Sequence, residues 1–194
     1  MTGGHPDSTT IVRDARPDER AAVRDLTLRA YAEYATVMTP PAWAGLDGAV
    51  RAALDATDGP EQRIVAERGG RIVGSVFLYP PASDAYGSLA AAAPGAPELR
   101  LLAVATEARG LGVGHALVDE CVRRARRAGA AALGLHTSAS MRVARRMYER
   151  MGFVRAPERD FRPEGAELVE GYRLPLRTVV ADDAGANYET RRKG

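Results

Sequence analysis

Residues 98–117 read Glu98-Leu-Arg-Leu-Leu-Ala-Val104, then Ala-Thr-Glu-Ala, then Arg109-Gly-Leu-Gly-Val-Gly114, then His115-Ala-Leu117. Leu99, Leu101, Leu102, Ala103 and Val104 make a nearly continuous apolar run, interrupted by Arg100, as suits a strand covered on both faces. Three glycines then follow at alternate positions. Without Cβ atoms, Gly110, Gly112 and Gly114 are free to take unusual dihedrals and to let a ligand approach the main chain. From about Gly112 the apolar spacing becomes helical, with Leu117, Cys121 and Ala125 on one stripe. A strand, a glycine turn and a helix start are therefore expected in succession. Unpaired N–H groups and the positive dipole end of such a helix favour an anion such as a phosphate.

Two phosphate-binding glycine motifs do not fit this stretch. A P-loop needs Lys-Ser or Lys-Thr after its second glycine, where His115-Ala116 stands. A Rossmann fingerprint beginning at Gly110 needs glycine at 115, which is also His115. What remains is Arg109-x-x-Gly112-x-Gly114. A plain tight strand-to-helix connection uses glycines in the same way, so the surrounding chain has to separate the readings.

Toward the N-terminus, residues 1–9 lack periodicity and are expected to form a loose tail. Thr10 to Arg13 suit a first strand, and Pro17-Asp18-Glu19 suit the start of a helix carrying Val23, Leu26, Ala30, Tyr31 and Tyr34. Thr39-Pro40-Pro41 reads as a break, with a second, shorter helix over 46–57 on Leu46, Val50 and Leu54. Gln62 to Glu67 and Arg71 to Tyr79 read as two antiparallel strands around a Gly69-Gly70 turn. Residues 80–97 are rich in Ala, Pro and Gly and read as a long irregular insertion.

Toward the C-terminus, Ala131 to Thr137 suit a strand and Ser138 to Met151 a helix with a serine cap. Gly152-Phe153 ends that helix, a last strand falls at Leu168 to Leu176, and 178–194 reads as a disordered tail. One domain over 10–177 is expected.

Composition bounds the function. The 194 residues carry a net charge of +2, too small for an electrostatic footprint toward nucleic acid or anionic membrane. The arginine clusters at 123–127 and 142–150 therefore read as solvated faces. No apolar run approaches the roughly 20 residues that span a bilayer. Cys121 is the single cysteine, so no internal disulfide forms and a cytoplasmic setting is the simplest expectation. With only His5, His115 and His136 as imidazoles and no Cys/His cluster, no metal site is expected.

Arg109-x-x-Gly112-x-Gly114, followed at the right separation by Ala144-Arg-Arg-Met-Tyr148-Glu-Arg-Met-Gly152-Phe153, resembles the GNAT superfamily of acyl-CoA-dependent N-acetyltransferases. The second segment is similar to that family's Ala-x-x-x-Tyr-x-x-x-Gly-Phe ending. The resemblance implies an α/β fold whose mixed, mostly antiparallel sheet contains a splayed parallel pair of strands, with helices on both faces. It implies acetyl-CoA as co-substrate, no metal, and an amine-bearing acceptor: a small molecule, a peptide N-terminus or a lysine. The pantetheine arm would pair with the main chain of Leu102, Ala103 and Val104 in the splay. The diphosphate would sit on the amides of Arg109, Gly110, Leu111, Gly112, Val113, Gly114 and His115.

The same resemblance implies that Tyr148 donates the proton to the departing thiolate, while as a bare residue it equally suits a core aromatic. Glu98, eleven residues before Arg109, falls where some histone-acetylating relatives carry a base; otherwise it is an exposed strand-start carboxylate. His136 is the second candidate base and reads more simply as a core histidine. Met141 stands where the family often has an asparagine that contacts the cofactor, and Ser138 or Ser140 are its candidate substitutes. A module that binds acyl-CoA without turnover stays open beside the enzyme reading, as does a homodimer through the C-terminal strands.

Overall fold

A computed structural model describes residues 9–56, 62–81 and 96–176. The elements run β1 (Ile11–Asp14), α1 (Arg20–Ala32), α2 (Pro40–Asp55), β2 (Gln62–Arg68), β3 (Arg71–Tyr79), β4 (Glu98–Val104), α3 (Val113–Arg127), β5 (Ala132–Ser138), α4 (Arg142–Arg150), β6 (Val154–Arg155) and β7 (Val169–Pro175). Short 3-10 turns at Pro17–Glu19, Glu33–Thr36, Thr106–Ala108 and Pro157–Arg159 link them. The strands form one sheet in the order β1-β2-β3-β4-β5-β7-β6. Neighbours are antiparallel except β4 and β5, which are parallel.

The central strands are apolar throughout because both faces of the sheet are covered. On one face, Ile64, Ala66, Val76 and Leu78 pack with Leu117 and Cys121 of α3 and with Tyr148 of α4. On the other, the alternate residues Val65, Phe77 and Tyr79 pack with Val23 of α1 and with Val50 and Leu54 of α2. The β2–β3 hairpin turns at Gly69 and Gly70, whose φ angles of 54° and 73° are those a two-residue type I′ turn demands.

Two expectations are corrected. The break before the second helix stands, but Pro40 and Pro41 lie inside that helix rather than ahead of it: α2 starts at Pro40, not near residue 46, because the missing N–H belongs to a position with no intrahelical partner in any case. Ser138 does not cap α4; it is the last residue of β5, its Oγ donates to Glu167 Oε1 at 3.0 Å, and Met141 occupies the cap position with no side-chain cap bond. The tails, except Thr9, and most of the 80–97 insertion lie outside the described residues.

β4 carries the irregularity that matters for function. Ser75 pairs with Ala103 and Phe77 with Arg100, so Leu101 and Leu102 together oppose Val76 in a bulge. Leu101 takes a φ of 51°, the one positive value at a non-glycine among the described residues. Such a conformation costs about 1–2 kcal/mol and persists where surrounding structure imposes it.

Candidate functional site

β4 and β5 touch at one rung only, Glu98 opposite Gly134, where the Gly134 N–H donates to Pro97 O at 2.9 Å. Beyond that rung β4 continues beside β3 and β5 beside β7, and the edges facing each other have no strand partner among the described residues. The strands thus part toward their C-terminal ends. The open end of this cleft is where β4 feeds the turn into α3.

The turn is built to present main chain. Gly110 and Gly112 have φ angles of 76° and 79°, and a Cβ added to either would meet nothing within 4 Å. These glycines serve backbone conformation rather than packing. Gly112 caps α3 with no side-chain bond, and the Ala116 N–H is bonded back to Gly112 O at 3.0 Å. The amides just before Ala116 have no carbonyl within the helix to bond. Gly114 sits in closer quarters, where the start of α3, the end of β4 and α4 converge: a Cβ there would make ordinary contacts with Met147 Sδ at 3.4 Å and Val104 Cγ2 at 3.6 Å, and only a larger side chain would crowd them.

The side chains of this stretch point elsewhere. Val113 is buried in the core, Leu111 is exposed, and His115 is exposed with Nε2 3.4 Å from Asp119 Oδ2. Arg109 donates two hydrogen bonds to Glu33, at 2.7 and 2.9 Å. On β4, Ala103 packs against Leu26 and Ala30 of α1, while half-buried Leu102 and Val104 lie against the α3 face. The bulge just before them swaps the strand's alternation, so that Leu99 and Leu101, two residues apart, fall on opposite faces of the sheet.

Tyr148 is buried on the inner face of α4, its ring centroid 5.7 Å from that of Phe153. On β5, at the widening part of the cleft, Thr137 Oγ1 is buried with no hydrogen-bond partner.

The two candidate bases meet each other. His136 Nδ1 lies 3.1 Å from Glu98 Oε1, and Arg159 Nη2 donates to Glu98 Oε2 at 2.6 Å. Arg100 Nε stands 3.5 Å from Glu98 Oε1, and its guanidinium stacks over Tyr79 at 4.9 Å. Glu98 is 9% exposed, so it is not an open strand-start carboxylate. Burial pushes its carboxyl up, but the His136 hydrogen bond and the charges of Arg100 and Arg159 outweigh that and hold it below the usual carboxylate range. The second nitrogen of His136, Nε2, is 2.9 Å from Arg159 O, and the ring is covered edge-on by Phe161. Sequence reasoning missed Arg159. The signal that points to it is Gly134, an isolated glycine in an apolar strand, which marks a close approach.

Several arginines of the α3 and α4 faces are engaged in ion pairs: Arg123 and Arg124 with Glu120, Arg124 with Asp14, and Arg145 with Glu170. Among the described residues no group of three or more His, Cys, Asp or Glu side chains is placed to hold a metal ion, and no helix is long and apolar enough to cross a membrane.

Solved structures share this architecture. A protein from Corynebacterium glutamicum described as histone acetyltransferase HPA2 and related acetyltransferase superposes with a TM-score of 0.62 at 22% identity, covering 87% of this chain and 97% of that one. A GNAT family acetyltransferase from Brucella melitensis in complex with acetyl-CoA gives 0.55 at 22% identity, covering 87% and 89%. The ribosomal-protein-alanine N-acetyltransferase of the same organism gives 0.57 at 20% identity, covering 86% and 99%. No curated protein matches the chain significantly by sequence. The sequence model of the Acetyltransferase (GNAT) family matches residues 21–153, more than half of the chain, and the chain therefore belongs to the GNAT acetyltransferase family.

Proposed function

We propose that this protein is a cytoplasmic N-acetyltransferase that moves the acetyl group of acetyl-CoA directly to an amine of a small molecule, a peptide N-terminus or a lysine. The observation that carries the reading is the parting of β4 from β5 into a cleft that opens onto the uncapped start of α3 at Gly112. The residues fit the co-substrate. Space over Gly110 and Gly112 suits a diphosphate, for which Gly110, Leu111, Gly112, Val113, Gly114 and His115 supply main-chain amides; the Arg109 amide, expected from the sequence to join them, already donates to Thr106 O at 3.3 Å. The free edge at Leu102, Ala103 and Val104 suits the amide-bearing pantetheine arm, which would lie there as an added strand.

Bound acetyl-CoA supplies a thioester, which an uncharged amine attacks. The chain's contribution is position and protons. Main-chain N–H groups at the β4 bulge are donors for an oxygen gaining negative charge, held in place before the reaction begins. Tyr148 gives its phenolic proton to the leaving sulfur. Glu98, held ionised by three neighbouring side chains, keeps His136 and Arg159 in place, and we assign the amine's proton to solvent.

Binding without turnover is the second reading, favoured by one observation: both nitrogens of His136 and both oxygens of Glu98 already have partners. Thiol release from acetyl-CoA, measured against a panel of amines, separates the two. Amine-dependent release supports the enzyme; tight acetyl-CoA binding with no release across small amines, peptides and lysine substrates supports the binding module.

A further inference from the structure

We propose that Arg159 is a positioning residue that bolts the closed end of the β4–β5 cleft and so sets its width; this rests on the cleft being the acyl-CoA slot. The two strands share a single paired rung, Glu98 opposite Gly134, where the Gly134 N–H donates to Pro97 O. A single rung acts as a hinge and leaves the angle of parting undetermined. Side chains cross the same junction and supply what the backbone lacks. Arg159 reaches from the Pro157–Arg159 turn to Glu98 on β4 at 2.6 Å, and His136 reaches from β5 to the other oxygen of the same carboxylate at 3.1 Å.

The sheet is cleared for this one arginine. A Cβ on Gly171 of β7 would lie 2.6 Å from Arg159 Cβ and 2.9 Å from Ala156 O, and a Cβ on Gly134 of β5 would fall on the Arg159 guanidinium. Glycine inside a strand weakens it, and here Gly171 makes room for the root of the arginine and Gly134 for its guanidinium. The turn bearing Arg159 is fastened to β7 by the Ala156 N–H bond to Gly171 O at 2.9 Å. The bolt therefore runs from β7 across β5 to β4. It is buried, with Arg159 at 7% and Glu98 at 9% exposure, and Arg159 Nε has no hydrogen-bond partner. The guanidinium is placed to meet Glu98 at the expense of its own full satisfaction. A buried ion pair of this kind is weak evidence for stability, and geometry is the attested alternative use.

The test uses two probes on wild type, Gly134→Ala and Arg159→Met. Acetyl-CoA needs both the glycine turn and the cleft; 3′-phosphoadenosine 5′-diphosphate, which lacks the pantetheine arm, needs only the turn. In folded variants the Kd for acetyl-CoA is expected to rise tenfold or more while that for the armless probe changes less than twofold. Hydrogen exchange at the Gly134 amide should accelerate alongside. If removing one charge prevents folding, the double variant Glu98→Met, Arg159→Met removes both and should show the same selective loss. Unchanged acetyl-CoA affinity, or an equal loss for both probes, overturns the bolt while leaving the cofactor reading intact. A folded wild type that binds no acetyl-CoA overturns both.

Discussion

Arg109 and Glu33 face each other fork to fork, Nη1 lying 2.7 Å from Oε2 and Nη2 2.9 Å from Oε1, which ties the glycine turn to the end of α1. The motif's arginine thus commits its guanidinium to a neighbouring element, while its amide bonds back to Thr106 O at 3.3 Å. Exposed pairs of this type contribute about 0–1 kcal/mol. Replacing Arg109 by Ala is expected to change acetyl-CoA affinity by less than about fivefold. A loss of a hundredfold in a binding titration would mean that the guanidinium itself holds the phosphates.

Gly74 sets how closely α3 approaches the sheet. A Cβ there would lie 2.7 Å from Val113 Cγ1, 3.0 Å from Leu117 Cδ1 and 3.3 Å from Ala103 O. Overpacking of this sort costs about 1–3 kcal/mol. Gly74→Ala should lower the melting temperature and, by displacing the first turn of α3, weaken acetyl-CoA binding in the same variant. Unchanged melting and affinity would show that α3 is not seated through Gly74.

Tyr148→Phe keeps the ring that packs against Phe153 and removes only the hydroxyl. Stability should shift by no more than about 1–2 kcal/mol, and acetyl-CoA affinity should hold. Turnover should fall by roughly a hundredfold to ten-thousandfold, the range for a lost general acid. Steady-state rates with a responsive amine, set beside calorimetric affinities, provide the check. Full activity in the variant would remove Tyr148 from the chemistry.

Glu19 gives the fold a defined acid sensitivity. Its buried carboxylate accepts hydrogen bonds from Arg13 at 2.7 and 2.8 Å and from the Arg16 amide at 2.7 Å. The Arg13 bonds, with the Arg16 amide and the charges of both arginines, outweigh burial and bring its pKa down from the usual carboxylate range to about 2. A carboxylate with a lowered folded pKa stabilises fully above its unfolded value and loses that stabilisation as the pH falls toward the folded one. About 1–3 kcal/mol should therefore disappear between roughly pH 5 and pH 2. Denaturant melts of wild type and Glu19→Gln should converge over that range. A constant gap between them would rule the linkage out.

What the sequence made legible was local. The apolar run of β4, the glycine turn and the stripe of α3 are contiguous in the chain, so spacing alone placed them. The Met147-Tyr148 face of α4 followed for the same reason. Prolines 40 and 41 misled because the same missing N–H that ends a helix also suits its first residues. Ser138 misled because a capping residue and a strand end look alike until the strand's length is known.

The cluster around Glu98 was legible only in pieces. His136 and Arg159 stand 38 and 61 residues from Glu98, and no local pattern joins the three. Their meeting depends on the sheet order, which inserts β7 between β5 and β6 and so brings the Pro157–Arg159 turn, fastened to β7, next to β5. Gly134 carried the trace of it.

The most direct test of the central claim is a calorimetric titration of acetyl-CoA into wild type and into the double variant Gly112→Val, Gly114→Val. Valine is strained at the φ of 79° that Gly112 adopts, and a side chain at Gly114 would press on Met147 and Val104. The expected result is saturable one-site binding to wild type and its loss in a double variant that remains folded. Equal binding by both proteins, or none by a folded wild type, would contradict the assignment of this turn as the cofactor's phosphate cradle.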